Sequence, residues 1–221
     1  MLCAGADNRE SKREARREAI LTAAHDLFLE KGYEATTLSD VVRRSGGSLA
    51  TLYELFENKP GLLRALVTRK CGAMAERIDD AVSAKRAPRE ALREIADFMF
   101  DKIVCPDSTA LFKAALAQPD LGPQLYRAGP ETGQAKIAEF LALKAGEGAF
   151  DLDDPLEAAG MFHQMMFGHF HQKLIFGLPV ELTDEAKARH IDRVLTAFFK
   201  MYGKQGAGSQ TGSTARGSSS G

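Results

Sequence analysis

Cysteine is scarce in this chain, and Cys3, Cys71 and Cys105 form neither a C-x-x-C pair nor an even set. That excludes a disulfide scaffold and fits the reducing cytoplasm, where a lone thiol is most often a small buried apolar side chain. Long apolar runs are missing too. None approaches the roughly 18 residues of a membrane span, and the N-terminus has no apolar signal core, so a soluble cytoplasmic protein without a membrane partner is expected. There is no alternating strand pattern and no internal repeat. Net charge is also lacking, at -1 for the 221 residues. Only its distribution is informative, since residues 1–70 carry 12 Lys+Arg against 10 Asp+Glu. Within residues 9–17 there are five basic residues and two acidic ones, an arm able to meet phosphate or a minor groove. Finally, no Ser-His-Asp context, phosphate-cradling glycine loop or His pair at i, i+4 is present, so no enzyme activity, cofactor or metal is expected.

What is present is helical periodicity in an ordinary soluble composition, 44% hydrophobic and 27% charged, long enough for one large or two modest domains. The most informative stretch is Thr36 to Lys59, TTLSDVVRRSGGSLATLYELFENK. Leu38, Val41 and Val42 give one apolar face of a short helix, and Thr37 with Asp40 reads as a capping box. Ser45-Gly46-Gly47 breaks the period, and Ser48 offers a fresh N-cap. Leu49, Leu52, Tyr53 and Phe56 then recur at i, i+3, i+4, i+7, a face expected to pack on the first helix. Two short helices across a glycine turn make a helix-turn-helix, a unit that places the start of its second helix in the major groove.

On that reading Leu49, Ala50, Thr51 and Glu54 face base edges: the apolar pair suits thymine methyls, Thr51 a hydroxyl contact, and Glu54 a cytosine amine. Thr36, Thr37, Ser48, Tyr53 and Lys59 sit at helix starts or flanks, where they can hold phosphates and fix register. The partner is double-stranded DNA.

From Arg17 to Val67 the chain resembles the N-terminal domain of TetR-family transcriptional regulators, through EAILTAAHDLFLEKGYEATTLSDVVRRSG and SLATLYELFENKPGLL. The resemblance rests on Lys31-Gly32-Tyr33, Thr36-Thr37, Gly46, Thr51-Leu52-Tyr53 with Phe56, and Lys59 followed by Leu62-Leu63. Two departures stand out. Gly47 replaces a small β-branched residue, and Leu49 replaces a basic or polar one. With Glu54 as well, the reading helix is not basic, which shifts the electrostatic role to Arg43, Arg44, Lys59 and the preceding arm. More weakly, residues 111–203 resemble the C-terminal domain of a subgroup that includes repressors of multidrug efflux genes.

The whole chain is therefore expected to be all-α, about nine helices. A flexible arm over 1–10 precedes a helix-turn-helix DNA-binding domain over 11–58, an effector-binding and dimerisation domain over 59–203 and a disordered Gly/Ser-rich tail over 204–221. The first helix is expected from about Ser11 to Lys31, with Ala15, Ala19, Ile20, Ala23, Leu27 and Phe28 on its inner side. Asn58 and Pro60 open a fourth helix to about Arg86, a rod shared by both parts. Pro88 opens a fifth, with Ile103 among its core positions, and Pro106 ends it. A sixth runs to Gln118. A seventh segment over 121–144 is divided or kinked at Gly129-Pro130. Pro155 begins a helix to about Phe176 that is apolar nearly all round, and Thr183 to Tyr202 forms the last.

These last two helices, paired with a second copy, give a four-helix bundle, and the resemblance implies the same homodimer. Met99, Phe112, Met165, Met166, Phe167 and Phe170 suit an apolar cavity for a small hydrophobic effector, with His163, Gln164 and His169 as its orienting polar groups. A repressor relieved by such an effector follows. Two other readings compete. One is a helical enzyme or metal- or haem-binding protein using His163, His169 and His171 with Asp153 or Asp154. The other is a helical protein-interaction module.

Overall fold

The computed structural model describes residues 4–83, 86–180 and 183–204; Cys3, the Ile103 side chain and the tail from 205 lie outside the described residues. Helix is the only extended regular structure among those described, joined by one isolated antiparallel bridge between Phe150 and Gly203.

Three helices form the head: α1 (Ala4–Lys31), α2 (Leu38–Ser45) and α3 (Leu49–Phe56). The first begins seven residues before the expected Ser11. No proline interrupts this run, and Ala4, Ala6, Arg9 and Glu10 favour helix. The expected flexible arm is thus helical from Ala4. Its inner stripe starts later than the spacing suggested: Ala15 and Ala19 are exposed, Arg16 to Glu18 between them meet the rest of the head through polar and ring contacts, and Ile20, Leu21, Ala24, Leu27 and Phe28 are buried.

The long α4 (Lys59–Ser83) joins head to body. Asn58 caps it, Oδ1 accepting from the Gly61 amide at 2.7 Å. Gly61 is needed for close approach, since a Cβ there would run into the Phe56 carbonyl. Its first turns bury Leu62, Leu63, Leu66 and Val67 in the head core, and its last turns bury Ile78 and Ala81 in a separate body core. One rod is therefore a wall of two cores.

The body comprises α5 (Pro88–Val104), α6 (Pro106–Leu116), α7 (Leu121–Tyr126), α8 (Thr132–Gly146), α9 (Pro155–Ile175) and α10 (Asp184–Tyr202). Between α7 and α8 lies a π-helical turn, Arg127–Glu131, with Pro130 inside it. This is the expected division at Gly129-Pro130, and it makes two helices of the seventh segment. Helix starts follow local chemistry: Asp154 Oδ1 accepts from the Leu156 and Glu157 amides at 2.8 and 3.3 Å, and Thr183 Oγ1 from Ala186 N at 3.2 Å.

Two placements were not evident from periodicity. Leu111 and Ala115 of α6 and Leu121 and Leu125 of α7 pack into the head core, not the body core. The α8–α9 connection is fastened to the end of α10, where Asp151 N donates to Tyr202 O at 2.8 Å and Lys204 N to Ala149 O at 3.2 Å.

Leu66, wholly buried on α4, tests the shared wall. Leu66→Ala is expected to cost about 2–5 kcal/mol in urea denaturation, against under about 1 kcal/mol for Leu116→Ala at an exposed α6 position.

Candidate functional site

The turn between α2 and α3 is held from outside. Arg16 on α1 donates from Nη1 to the Ser45 carbonyl at 2.7 Å and from Nη2 to the Ser45 hydroxyl at 3.2 Å, and Nη2 also bonds the Gly46 carbonyl. Gly46 and Gly47 lie at φ 77° and 82°, in the left-handed region that a Cβ disfavours. A Cβ on Gly47 would also collide with the Arg16 guanidinium. That is the physical reason for glycine at this position: the guanidinium takes the space of the missing side chain. Arg16 lies within the stretch read as a phosphate-seeking arm, and no sequence periodicity marks its role as a clasp.

α3 starts at Ser48, whose Oγ accepts from the Thr51 amide at 3.2 Å and lies 3.0 Å from the Thr51 hydroxyl. Its packing face is Leu52 and Phe56, both buried, with Leu55 half-buried. Leu49 and Tyr53 carry the apolar period of that face and are also the side chains assigned to a base edge and a phosphate; they are 39% and 51% exposed, outside the packed face. Helix rotation turns them outward with Ala50 and Glu54, so α3 offers solvent an uncharged stripe edged by one carboxylate.

The phosphate set changes more. Thr36 is only 1% exposed, and its hydroxyl donates to the Leu27 carbonyl at 3.1 Å and the Gly32 carbonyl at 2.9 Å. It fastens the α1–α2 turn and is withdrawn as a phosphate ligand. Thr37 is exposed and closes the expected capping box, its Oγ1 accepting from Asp40 N at 3.1 Å while its amide donates to Asp40 Oδ2 at 3.2 Å. The Thr37 amide, the Thr37 hydroxyl, which donates to Asp40 Oδ2 at 2.9 Å, and Arg43 bring the Asp40 carboxyl down to about 2. Arg44 forms a bidentate pair with Glu30, 2.7 Å on each oxygen, holding that carboxyl below its usual range. Lys59 donates to the Glu34 carbonyl at 3.0 Å and lies 4.4 Å from the centre of the Tyr33 ring. Arg43 pairs with Asp40 but leaves its side chain 72% exposed, the most available guanidinium of the predicted set.

In the body, the predicted effector residues separate into two groups. Met99, Met166, Phe167 and Phe170 are buried in the body core beside Phe100, and Met165 packs half-buried against it. Gln164 is exposed away from that group, and His169 is exposed at its edge, against Phe170. His163 is 8% exposed, and its Nδ1 has no hydrogen-bond partner among the described residues. Loss of water, then His171, pushes its titration down to about 4. His171, left out of the effector set, lies 6.0 Å from the His163 ring, and Phe112 of α6 stacks on it at 6.2 Å with planes 7° apart. The signal that would have found it is the i, i+4, i+8 spacing of His163, Phe167 and His171. His169 instead faces Phe170 and His190, so the three histidines of α9 do not meet at one point.

The fold and its exposed second helix define a helix-turn-helix DNA-binding transcriptional regulator. Residues 20–66 match the family described as bacterial regulatory proteins, tetR family, and residues 90–204 match the AefR-like transcriptional repressor C-terminal domain. The latter match spans a little over half of the chain, and the protein belongs to the TetR family. The chain is 49% identical to the repressor ComR of Escherichia coli over 53 residues, which cover 24% of this chain and 25% of ComR. It superposes on a TetR-family regulator from Mesorhizobium loti with a TM-score of 0.78 at 23% identity, covering 87% of this chain and 98% of the other. The flavonoid-responsive regulator FrrA aligns with a TM-score of 0.65 at 28% identity over 87% of this chain and 99% of its own. Among the described residues no helix is long and apolar enough to cross a membrane.

Two outcomes test this geometry. Gly47→Ala and Arg16→Ala should each cost about 1–2 kcal/mol in urea denaturation, and the double variant should cost clearly less than their sum, because the methyl introduced by Gly47→Ala already displaces the guanidinium. His163 titrates lower folded than unfolded, so the unfolded chain takes up its proton first as pH falls; its stability contribution is complete above about 6.5 and is lost between there and about 4. Wild type should therefore weaken from pH 7 to pH 5 more than His163→Phe does, by up to about 1.4 kcal/mol per pH unit.

Proposed function

We propose that the protein is a cytoplasmic homodimeric repressor that reads a palindromic operator and is released by a small hydrophobic effector. The observation that carries this is the outward face of α3, with Leu49, Ala50, Tyr53 and Glu54 exposed beside Thr51 on a helix whose preceding turn is bonded to α1 by Arg16. Leu49 and Ala50 meet thymine methyls, Thr51 makes a hydroxyl contact, and Glu54 accepts from a cytosine amine. Phosphates are met by Thr37, Ser48 and Tyr53, by Arg43, and by Arg44 and Lys59 where their internal partners yield. Residues 11–58 act as the reading unit and 59–203 as the effector and dimer unit, with α6 and α7 packed against the reading unit.

The second copy is supported by what α9 and α10 leave uncovered. Leu156, Met161 and Ile175 of α9 and Met201 of α10 are exposed, and Phe176 at the end of α9 is 80% exposed. Apolar side chains of this size grouped on two long helices favour an isologous four-helix interface. The effector site lies within residues 88–176, and FrrA, described as flavonoid-responsive, supports a response to a small molecule. Occupancy would turn α4, changing the fit of two heads to half-sites about 34 Å apart.

Nuclease footprinting of the protein on DNA upstream of its own gene should protect a palindrome, and transcription from that promoter should fall. Thr51→Ala and Tyr53→Ala are each expected to weaken operator binding about tenfold or more at an unchanged melting temperature, because neither side chain belongs to the core. Absence of protection on any sequence by the folded dimer at low salt would refute the regulatory reading. In sedimentation, Met161→Asp combined with Ile175→Asp should shift the dimer to a monomer at micromolar concentration.

A further inference from the structure

His163 is the unusual feature of the body. A polar ring nitrogen enclosed without a partner loses its hydration and gains nothing in exchange unless something supplies the bond. The ring sits on the inner face of α9 among aromatic neighbours, with Phe167 at 5.2 Å and His171 at 6.0 Å between ring centres. Phe112 on α6 closes the outer side of this group by stacking on His171. Phe112 and His171 are only half-buried, so this edge of the aromatic group is the one that reaches solvent, while Phe167 on the other side of His163 is buried in the body core.

Resting on the effector-binding reading above, we propose that the His163 Nδ1 is the polar anchor of the effector site, and that its ligand is an uncharged aromatic molecule bearing a hydroxyl. The hydroxyl follows from the tautomer argument. A neutral imidazole nitrogen is either donor or acceptor, and a hydroxyl is both, so it satisfies Nδ1 in either form. The absence of charge follows from the surroundings. Burial keeps His163 and His171 in their neutral forms, and an anion here would lose its hydration against aromatic rings. The aromatic body follows from the rings it would lie against. Because Phe112 also packs on the head core, an occupant that moves it is felt at the reading unit through α6.

The test is calorimetric titration of the purified full-length protein with 2-naphthol and with 2-methylnaphthalene, which differ by a methyl in place of the hydroxyl. Wild type should bind 2-naphthol at least about tenfold tighter, the ratio equivalent to one net hydrogen bond. His163→Phe should bring the two affinities together, while His163→Gln, which keeps a donor and an acceptor, and Gln164→Ala, outside the site, should preserve the preference. His163→Phe should also melt no lower than wild type, because it removes an unpartnered polar atom at similar shape. Equal affinities in wild type, a preference that survives His163→Phe, or binding of neither compound to the folded protein would each overturn the assignment. Operator retention by the ligand-free protein, read in a gel shift, is judged separately: its loss sinks the regulator reading whatever the naphthols do, and its presence leaves that reading intact if they fail.

Discussion

The rest of the molecule depends on α4 lying in two apolar cores at once. Its first turns are enclosed by α1, α3, α6 and α7 through Leu62, Leu63 and Leu66, and its last turns by α5 and α8 through Ile78 and Ala81. Close-packed cores resist small continuous shifts, so a rotation at one end has to be accommodated at the other as a change of packing. Between the two cores the rod runs past the π-helical turn, where Gly129 brings its backbone against Cys71, and a Cβ at 129 would approach the sulfur to 3.0 Å. Pro130, which has no amide hydrogen to donate, lies inside that turn.

The reading head obeys a different physics. Two helices of eight residues each have little stability of their own, and their joint is solvent-exposed. Val41, Leu52 and Phe56 anchor them in the head core, and directed polar bonds fix their orientation: Arg16 on the turn, Glu30 with Arg44 between the ends of α1 and α2, Thr36 under the α1–α2 connection, and Lys59 from α4 back to Glu34. Much of the basic charge that composition offered to nucleic acid is therefore already engaged within the head. The outward stripe of α3 itself carries no basic side chain and one carboxylate, Glu54.

Helix limits were largely legible before any coordinates, because capping and proline chemistry is local. Thr37 with Asp40, Ser48, Asn58, Asp154-Pro155 and Thr183 each satisfy backbone groups within a few residues of themselves. Faces were less legible. Leu49 and Tyr53 share a stripe with Leu52 and Phe56, and period alone treats the four alike; only the angle at which α3 meets α1 and α4 leaves the first two outside. In α9 the same ambiguity grouped His163 with Gln164 and His169, although the helix turns those two to solvent and brings His171 inward instead.

The sequence by itself determined the all-helical class, the glycine turn, the helix starts and the membership of the head in a DNA-reading family, since each rests on residues near one another in the chain. Tertiary structure alone decided which core α6 and α7 joined, which basic residues were tied down, why Gly47 has to lack a side chain, and which imidazole was left unpartnered in the interior. Most of those are relations between residues distant in the chain, 14 positions for Glu30 and Arg44, 25 for Glu34 and Lys59 and 30 for Arg16 and Gly46, and local propensity carries no record of them.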